Sequence, residues 1–263
     1  MIYAIIQARM NSTRLPGKVM MTIDKDPMLF HVIKQTLASR LIDDVIIATT
    51  NSSSDKIIRN YCKKNGFNYF VGSSNDVLDR YYQCAKKFHC DPVVRISADS
   101  PLIDPMIIDR VLSRFLNNSY DFVSNNIEKI NDYWSHSTCN FPIGTVVEVC
   151  SFNCLKQVWK NSKLKSEREH VFPYVQFNPE IFNISNIKNK NDLSYIRCTV
   201  DKKQDLKFVQ EIWKRKPKLK KILHINDILN IIKNENDLVK INNDISFDEG
   251  FQKSLKNDIR QNM

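Results

Sequence analysis

The sequence predicts an α/β protein with a doubly wound, mostly parallel, Rossmann-like sheet. Along the first 120 residues, short apolar runs of strand length alternate with segments whose apolar residues repeat at helical spacing. Strands joined by helices pair in parallel through right-handed crossovers. A polar loop follows each predicted strand, and the carboxyl ends of such strands are where this class of sheet places its ligands.

The predicted elements follow one another in a regular order. A strand over 2–6 leads into a polar loop, and Pro27 opens a helix over 28–41. Ser54 is the expected N-cap of the next helix, and Gly66 is expected to end it. The further elements predicted in this half are strands at 43–50, 67–72 and 92–98 and helices at 55–65, 76–89 and 107–118.

The pattern is less regular beyond residue 120. A Pro-Ile-Gly turn at 142–144 interrupts it, and a polar stretch ends the chain. We expect a main domain over 1–215, with a small irregular insertion at about 130–180, and a helical extension over 216–263 that packs on the same domain. The elements predicted here are strands at 145–151, 181–187 and 195–201, two helices within 152–177, and helices at 205–215 and 225–241.

The composition favours an anionic partner without identifying it. The 263 residues include 39 Lys+Arg and 29 Asp+Glu, for a formal net charge of +10. Nucleotide, nucleic acid and acidic membrane would each suit this charge. Much of the excess is lysine, mixed with asparagine at 186–192 and clustered at 214–221, and the base composition of the genome would explain that enrichment equally well.

Cysteine usage and hydropathy predict a soluble cytoplasmic protein. The 7 cysteines form no C-x-x-C pair, so reduced and buried thiols are expected. No stretch approaches the roughly 20 apolar residues of a membrane span, and the first residues lack the features of a signal peptide. We therefore expect no membrane insertion.

The loop QARMNSTRLPGK, residues 7–18, directly follows the first predicted strand. Arg9, Arg14 and Lys18 could converge on phosphate oxygens, together with the small donors at 11–13. The loop matches neither the Walker pattern nor the dinucleotide fingerprint. It predicts an anion site, and a basic turn without a ligand is the alternative.

Two aspartates close predicted strands and are candidate metal ligands. Asp99 follows the strand at 92–98, and Asp201 closes the strand at 195–201. Mg²⁺ takes one or two protein carboxylates together with substrate phosphates. Asp104 is instead the expected N-cap before Pro105, and Asp109 lies inside a helix. Caps of turns or helices remain the alternative for the first two aspartates as well.

Six motifs, in the same order, resemble those of the cytidylyltransferases of the CMP-acylneuraminate synthetase family, nearest to its spore-coat polysaccharide biosynthesis branch. The motifs are QARMNSTRLPGK, VIIATTN, GSSNDVLDRYYQ, VVRISADSPLID, SEREHVFPYV and TVDKKQDL. The resemblance covers residues 1 to about 215, and the segment EGFQKSLKND (249–258) also resembles that branch.

The resemblance implies a GT-A-like nucleotidyltransferase that condenses CTP with a small acidic or phosphorylated acceptor and releases pyrophosphate, with Mg²⁺ or Mn²⁺ as cofactor. Arg14, Lys18 and Asp99 would be catalytic, with Lys18 also stabilising the leaving pyrophosphate, and Asp99 and Asp201 would hold the metal. The nucleotide-binding residues implied are Gln7, Ala8, Arg9, Asn11, Ser12, Arg14, Lys18, Thr49, Thr50, Asn51, Ser97 and Ala98.

The chain departs from the family pattern at two places. Lys202 and Lys203 replace Thr-Pro after the second aspartate, and Ile143 and Val146 replace two aspartates in the acceptor half of the site. The accepted molecule is therefore expected to differ from that of relatives with those acids.

The acceptor side of the site is less well defined by the sequence. Glu148 and His170 are the acceptor-binding residues expected, with His136 as a further candidate. A nonulosonic acid, a sugar phosphate, or a small phosphorylated compound such as phosphoglutamine or glycerol phosphate would each serve as acceptor. The family position of 130–175 also implies a homodimer.

Two other classes of function remain as alternatives. A GT-A-type glycosyltransferase using a nucleotide-sugar would share the sheet, but it normally has an Asp-x-Asp metal motif, and this chain offers Asp99 alone. A nucleic-acid-binding protein is favoured only by the net charge, since the basic residues are scattered and RNA-binding aromatic signatures are missing. We therefore expect no nucleic-acid partner.

Overall fold

A β-sheet lies at the centre of the computed structural model, which describes residues 1–131 and 133–261. The strands are β1 (Tyr3–Gln7), β2 (Thr22–Ile23), β3 (Asp26–Pro27), β4 (Asp44–Thr50), β5 (Asn68–Gly72), β6 (Val93–Ser97), β7 (Phe122–Ser124), β8 (Ile127–Ile130), β9 (Tyr133–His136), β10 (Glu148–Cys150) and β11 (Ile184–Asn186). Seven of them form one sheet in the order β11-β7-β10-β6-β1-β4-β5. The others form the antiparallel pairs β2–β3 and β8–β9.

The pairing of the central sheet is mostly parallel, as the sequence predicts. Strand β1 lies between β4 and β6 and is parallel to both, and β5 continues the parallel run. Strand β10 is antiparallel to β6 and β7, and β11 is parallel to β7. The carboxyl ends of β1, β4 and β6 therefore meet at one edge, where the loop 7–18 begins.

Helices cover both faces of the sheet. They are α1 (Met28–Leu37), α2 (Lys56–Asn65), α3 (Val77–Lys87), α4 (Pro105–Leu116), α5 (Phe152–Asn161), α6 (Lys165–His170), α7 (Pro173–Phe177), α8 (Lys203–Arg215), α9 (Ile225–Asn234) and α10 (Glu249–Gln261), with short 3₁₀ helices at Lys18–Met20 and Asn236–Ile241. Successive residues of β1 enter different cores: Ala4 and Ile6 pack with α1, α4, α8 and α9, whereas Ile5 packs with α3, α5 and α7. A sheet buried on both faces confirms the doubly wound prediction.

Helix ends follow the predicted signals with one exception. Pro27 precedes α1, Asp104 caps α4 by accepting a hydrogen bond from the backbone N–H of Met106 (2.8 Å), and Gly66 ends α2 with a φ of 71°. The prediction for Ser54 was wrong. Asp55 occupies the N-cap position of α2, while the Ser54 hydroxyl hydrogen-bonds the hydroxyl of Ser52 instead.

The segment 195–201, predicted as a strand, is not one. Its sheet-like pairing in the described structure is a single bridge between Arg197 and Ile143. Its backbone groups are used elsewhere, because Val200 N–H donates to the carbonyl of Asp99 (2.8 Å) and Asp201 N–H donates to the carboxylate of Asp205 (2.9 Å). The apolar alternation at 195–201 thus reflects burial of a turn.

Other predicted elements are present with different bounds. The strands predicted at 145–151 and 181–187 shorten to β10 and β11, and the helix predicted over 225–241 changes from α9 to a 3₁₀ helix after Glu235. The polar stretch that ends the chain contains helix α10, which packs against α6.

The burial of the cysteines agrees with the expectation from the composition. All seven cysteines are buried and free, and burial raises the pKa of the Cys62 thiol to about 12 and that of Cys90 to about 11. Within residues 1–131 and 133–261, no helix combines the length and hydropathy needed to cross a bilayer.

Candidate active site

The loop after β1 is fixed by backbone hydrogen bonds. Gly17 N–H donates to the carbonyl of Met10 (2.8 Å), and Met10 N–H donates to the carboxylate of Asp55 at the start of α2 (2.7 Å). Gly17 has a φ of 75°, which glycine adopts without strain, and the 3₁₀ turn beginning at Lys18 follows it directly. The closed loop therefore holds Lys18 in one place.

The Lys18 side chain is buried, and its ammonium joins two distant carboxylates. It donates to Asp99 Oδ2 (2.7 Å), to Asp201 Oδ1 (3.0 Å) and to the carbonyl of Val200 (2.7 Å). Burial lowers the pKa of Lys18, but the charges of Asp99 and Asp201 outweigh burial, and the net pKa is raised. The amine is therefore a fixed positive charge.

Asp99 follows β6 and is ionised. Its second oxygen accepts a hydrogen bond from the hydroxyl of Ser97 (2.6 Å). Burial raises the pKa of Asp99, but the Lys18 ammonium and the Ser97 hydroxyl hold the net pKa below its usual value. The carboxylate is therefore available as a charged ligand.

Asp201 is surrounded by cations. Besides Lys18, it accepts hydrogen bonds from Arg14 (2.6 Å) and from Arg197 (2.9 Å). Arg197 also donates to Asp205 (2.9 Å), whose other oxygen accepts the backbone N–H groups of Asp201 and Lys202 (2.9 Å each). This network keeps the turn after Asp201 closed although Thr-Pro is replaced by Lys202 and Lys203.

Two adjoining cavities open at this edge of the sheet. One, which we call the basic cavity, has a volume of about 660 Å³ and lies against the loop 7–18. The other, the inner cavity, has a volume of about 210 Å³ and lies against β10 and the turn at 142–144. Residues expected from the sequence that line the basic cavity are Gln7, Ala8, Arg9, Ser12, Arg14, Lys18, Ser97, Ala98, Asp99 and His170. Those that line the inner cavity are Arg14, Ser97, Asp99, His136, Glu148, His170 and Asp201.

Four expected nucleotide contacts line neither cavity. Thr49 and Thr50 are buried at the end of β4, where the Thr50 hydroxyl donates to Asp55 (2.5 Å). Asn11 and Asn51 are exposed, and their side-chain carbonyls accept hydrogen bonds from Ser54 (3.3 Å) and Ser74 (3.2 Å) respectively. These four therefore lie at the same edge of the sheet without lining either cavity.

The two residues expected to bind an acceptor differ in charge. Glu148, on β10, is ion-paired with Arg95 of the neighbouring strand β6. Burial lowers the pKa of His170 to about 4, although the nearby charge of Glu169 acts in the opposite direction. At neutral pH, His170 is therefore an uncharged ring, with Nε2 3.2 Å from the hydroxyl of Ser254.

Several lining residues were not singled out from the sequence. Arg80, on α3, is 1% exposed, lines the basic cavity, and has no hydrogen-bond partner for its Nε among the described atoms. Arg95 lines both cavities, and the segment 246–251 closes the inner one. The sequence could have indicated Arg80, because this residue lies in the first turn of a helix that follows the carboxyl end of a predicted strand.

Similarity to known proteins agrees with this architecture. A family model described as cytidylyltransferase matches residues 3–245. The uncharacterized protein MJ1063 of Methanocaldococcus jannaschii is 36% identical over 215 residues, which cover 81% of this chain and 83% of that protein. The spore coat polysaccharide biosynthesis protein SpsF of Bacillus subtilis is 27% identical over 221 residues, covering 81% and 87%.

A solved structure extends the similarity to almost the whole chain. The structure of a cytidylyltransferase from Leptospira borgpetersenii superposes with a TM-score of 0.83 at 29% identity, covering 94% of this chain and 98% of that one. Together with the match to the family model, this likeness shows that the chain belongs to the cytidylyltransferase family.

Proposed function

We propose that the protein transfers CMP from CTP to a small acidic or phosphorylated acceptor and releases pyrophosphate. The observation that carries this proposal is the Lys18 ammonium, held within 3.0 Å of both Asp99 and Asp201 at the meeting point of the two cavities. A cation and two carboxylates at one point can hold a polyphosphate and its metal against an acceptor.

The basic cavity suits the triphosphate. Arg9, Arg14, Lys18 and Arg80 line it, and their guanidinium and ammonium groups are donors that match phosphate oxygens. Attack on the α-phosphorus needs alignment and neutralisation of charge more than covalent help from the protein. In this scheme Lys18 stabilises the charge that develops on the leaving pyrophosphate.

Asp99 and Asp201 suit a hard divalent cation. Both carboxylates reach the same ammonium, and Mg²⁺ or Mn²⁺ uses one or two carboxylates with phosphate oxygens completing its shell. No group of three or more His, Cys, Asp or Glu side chains suited to a metal occurs in the described part of the chain, so the nucleotide would supply the remaining ligands. When bound, the ion would neutralise phosphate oxygens.

The inner cavity suits the acceptor. Its lining combines the ion pair of Glu148 and Arg95 with the neutral ring of His170, and Ile143 and Val146 line it where acids would otherwise lie. A carboxylate or phosphate acceptor is already a nucleophile, so it needs orientation more than a strong base. A nonulosonic acid, a sugar phosphate, or a small compound such as phosphoglutamine or glycerol phosphate meets that requirement.

We infer that the product is an activated precursor for a surface polysaccharide, as in capsule or lipopolysaccharide, made by a cytoplasmic homodimer. The similarity to SpsF, a spore coat polysaccharide biosynthesis protein, supports the polysaccharide role. The cations Arg9, Arg14, Lys18 and Arg80 line a concave cavity, a shape that suits a small anion better than a nucleic-acid strand.

Pyrophosphate release tests the proposal. The protein is incubated with each of the four nucleoside triphosphates, Mg²⁺ or Mn²⁺, and a panel of acidic and phosphorylated acceptors. We expect release that depends on CTP, on the divalent ion and on one acceptor class. Release of sugar from a nucleotide-sugar, with no pyrophosphate from CTP and any acceptor, would instead support the glycosyltransferase alternative.

A further inference from the structure

Helix α10 lies beyond the part of the chain that the family model matches, yet it forms a wall of the site. The match ends at residue 245, and α10 begins at Glu249. Five of its residues line the basic cavity with the spacing of one helical face, namely Glu249, Gly250, Lys253, Ser254 and Asn257. The helix therefore presents one continuous face to that cavity.

Contacts on both sides of Lys253 fix the orientation of α10. The ring of Phe251 stacks on His136 with centroids 4.0 Å apart and planes 17° apart. The Ser254 hydroxyl donates to Glu169 (2.9 Å), and the Asp258 carboxylate accepts the backbone N–H of Ser166 (3.3 Å). Because these anchors lie within five residues of Lys253, they hold its turn of the helix against the cavity.

The charge of Lys253 is available to a ligand. Across the described residues, Lys253 takes part in none of the ion pairs, whereas Glu249, one turn earlier, pairs with Lys202 (3.0 Å) and lies 3.9 Å from Arg14. Lys18 and Arg14 are already paired with aspartates. An uncommitted ammonium that lines the same cavity as the loop 7–18 would attract the same phosphate oxygens.

We propose that Lys253 is a binding residue for the polyphosphate of the nucleotide, so that α10 completes the site of the cytidylyltransferase. This inference rests on the proposed function. It assigns the ligand class, a di- or triphosphate, to a helix outside the matched family region.

Binding of inorganic pyrophosphate, CTP and cytidine by isothermal titration, in Mg²⁺ buffer at low salt, tests the role of Lys253. We expect Lys253→Ala to weaken pyrophosphate and CTP binding roughly three- to tenfold, as for loss of one charge-assisted contact, and to leave cytidine binding unchanged. Lys253→Glu should weaken the binding of pyrophosphate and CTP further, and Lys253→Arg should retain the binding of both. Lys256→Ala is the matched control, because Lys256 is an exposed lysine on the same helix that does not line the cavity.

The outcomes separate this inference from the function on which it rests. Equal pyrophosphate affinity of Lys253→Ala and Lys256→Ala, with normal binding by the wild-type protein, would overturn the role of Lys253 alone. Equal loss of cytidine binding in Lys253→Ala would also overturn it, since the defect would then lie in the fold of α10. A wild-type protein that binds neither CTP nor pyrophosphate would refute the proposed function and this inference together.

Discussion

Replacing Lys18 with methionine tests the centre of the site most directly. The change keeps a long unbranched side chain, one atom shorter than lysine, and removes its charge, so Asp99 and Asp201 lose the ammonium that they share at 2.7 and 3.0 Å. Breaking a buried ion pair costs about 3–5 kcal/mol. The cost here should be lower, about 2 kcal/mol, because Asp201 keeps Arg14 and Arg197 and Asp99 is partly exposed.

The melting temperature and the turnover of Lys18→Met should both fall. For a chain of this size, about 2 kcal/mol corresponds to a drop in Tm of roughly 4–8 °C. Turnover should fall by about 10²–10³, the usual cost of losing one charge-stabilising donor. Calorimetry and pyrophosphate release measure the two effects, with the exposed Lys256→Met as the control.

The pH dependence of the stability difference follows from two pKa shifts. The pKa of Lys18 is raised, so its contribution is present below the usual value of 10.5 and is lost as the pH rises through the folded pKa. The pKa of Asp99 is lowered, so its contribution is present above the usual value of 3.8 and is lost as the pH falls through the folded pKa. The difference between wild type and variant should therefore be constant from about pH 5 to 9 and shrink at either extreme. A variant as active and as stable as wild type would show that Lys18 has no role at the junction of the cavities.

Three further predictions concern single side chains. Asp99→Asn should abolish pyrophosphate release while circular dichroism stays close to wild type, because charge is removed without volume. Its Tm should fall less than that of Lys18→Met, because Lys18 keeps Asp201 and the carbonyl of Val200; unchanged turnover would contradict a role for this carboxylate in the site. Gly144→Ala should lower Tm or prevent folding, at a cost of about 3 kcal/mol or more in the free energy of unfolding. The φ of Gly144 is +92°, and the added Cβ would lie 2.4 Å from the backbone nitrogen of Thr199. A stable variant would refute that close approach. His170 should stay neutral at pH 7 and become protonated near pH 4 when its ring is followed by NMR titration. Because its folded pKa lies below the usual 6.5, its contribution to stability is present above pH 6.5 and is lost as the pH falls towards 4. A measured pKa near 6.5 would contradict the burial described.

The sequence was most informative about charged residues in the loops that directly follow predicted strands. Arg14, Lys18 and Asp99 were expected at one edge of a parallel sheet, and the structure brings them together there. Asp201 joins them although its strand does not exist, because Arg197 forms ion pairs with both Asp201 and Asp205 and so positions the turn. Apolar alternation shows only which side chains are buried, so it cannot separate such a turn from a strand.

The part that sequence reasoning did not anticipate depends on contacts between distant segments. The sequence predicted a helical extension over 216–263 and a resemblance at 249–258, but it did not predict that helix α10 holds Phe251 against His136 and His170. A buried phenylalanine in a polar helix gives no indication of its partner. Likewise, the burial of Thr49 and Thr50 follows from the packing of β4 between β1 and β5, which only the folded sheet reveals.

The turn at Gly144 links the floor of the inner cavity to the segment that carries Asp201. Ile143 N–H donates to the carbonyl of Ile196 (2.8 Å), and Cys198 N–H donates to the carbonyl of Ile143 (2.7 Å). Main-chain atoms alone form this link, so the side chains at Ile143 and Val146 can change during evolution while Asp201 keeps its place. Relatives could thus acquire new acceptors by exchanging two side chains, without rebuilding the machinery that handles the nucleotide.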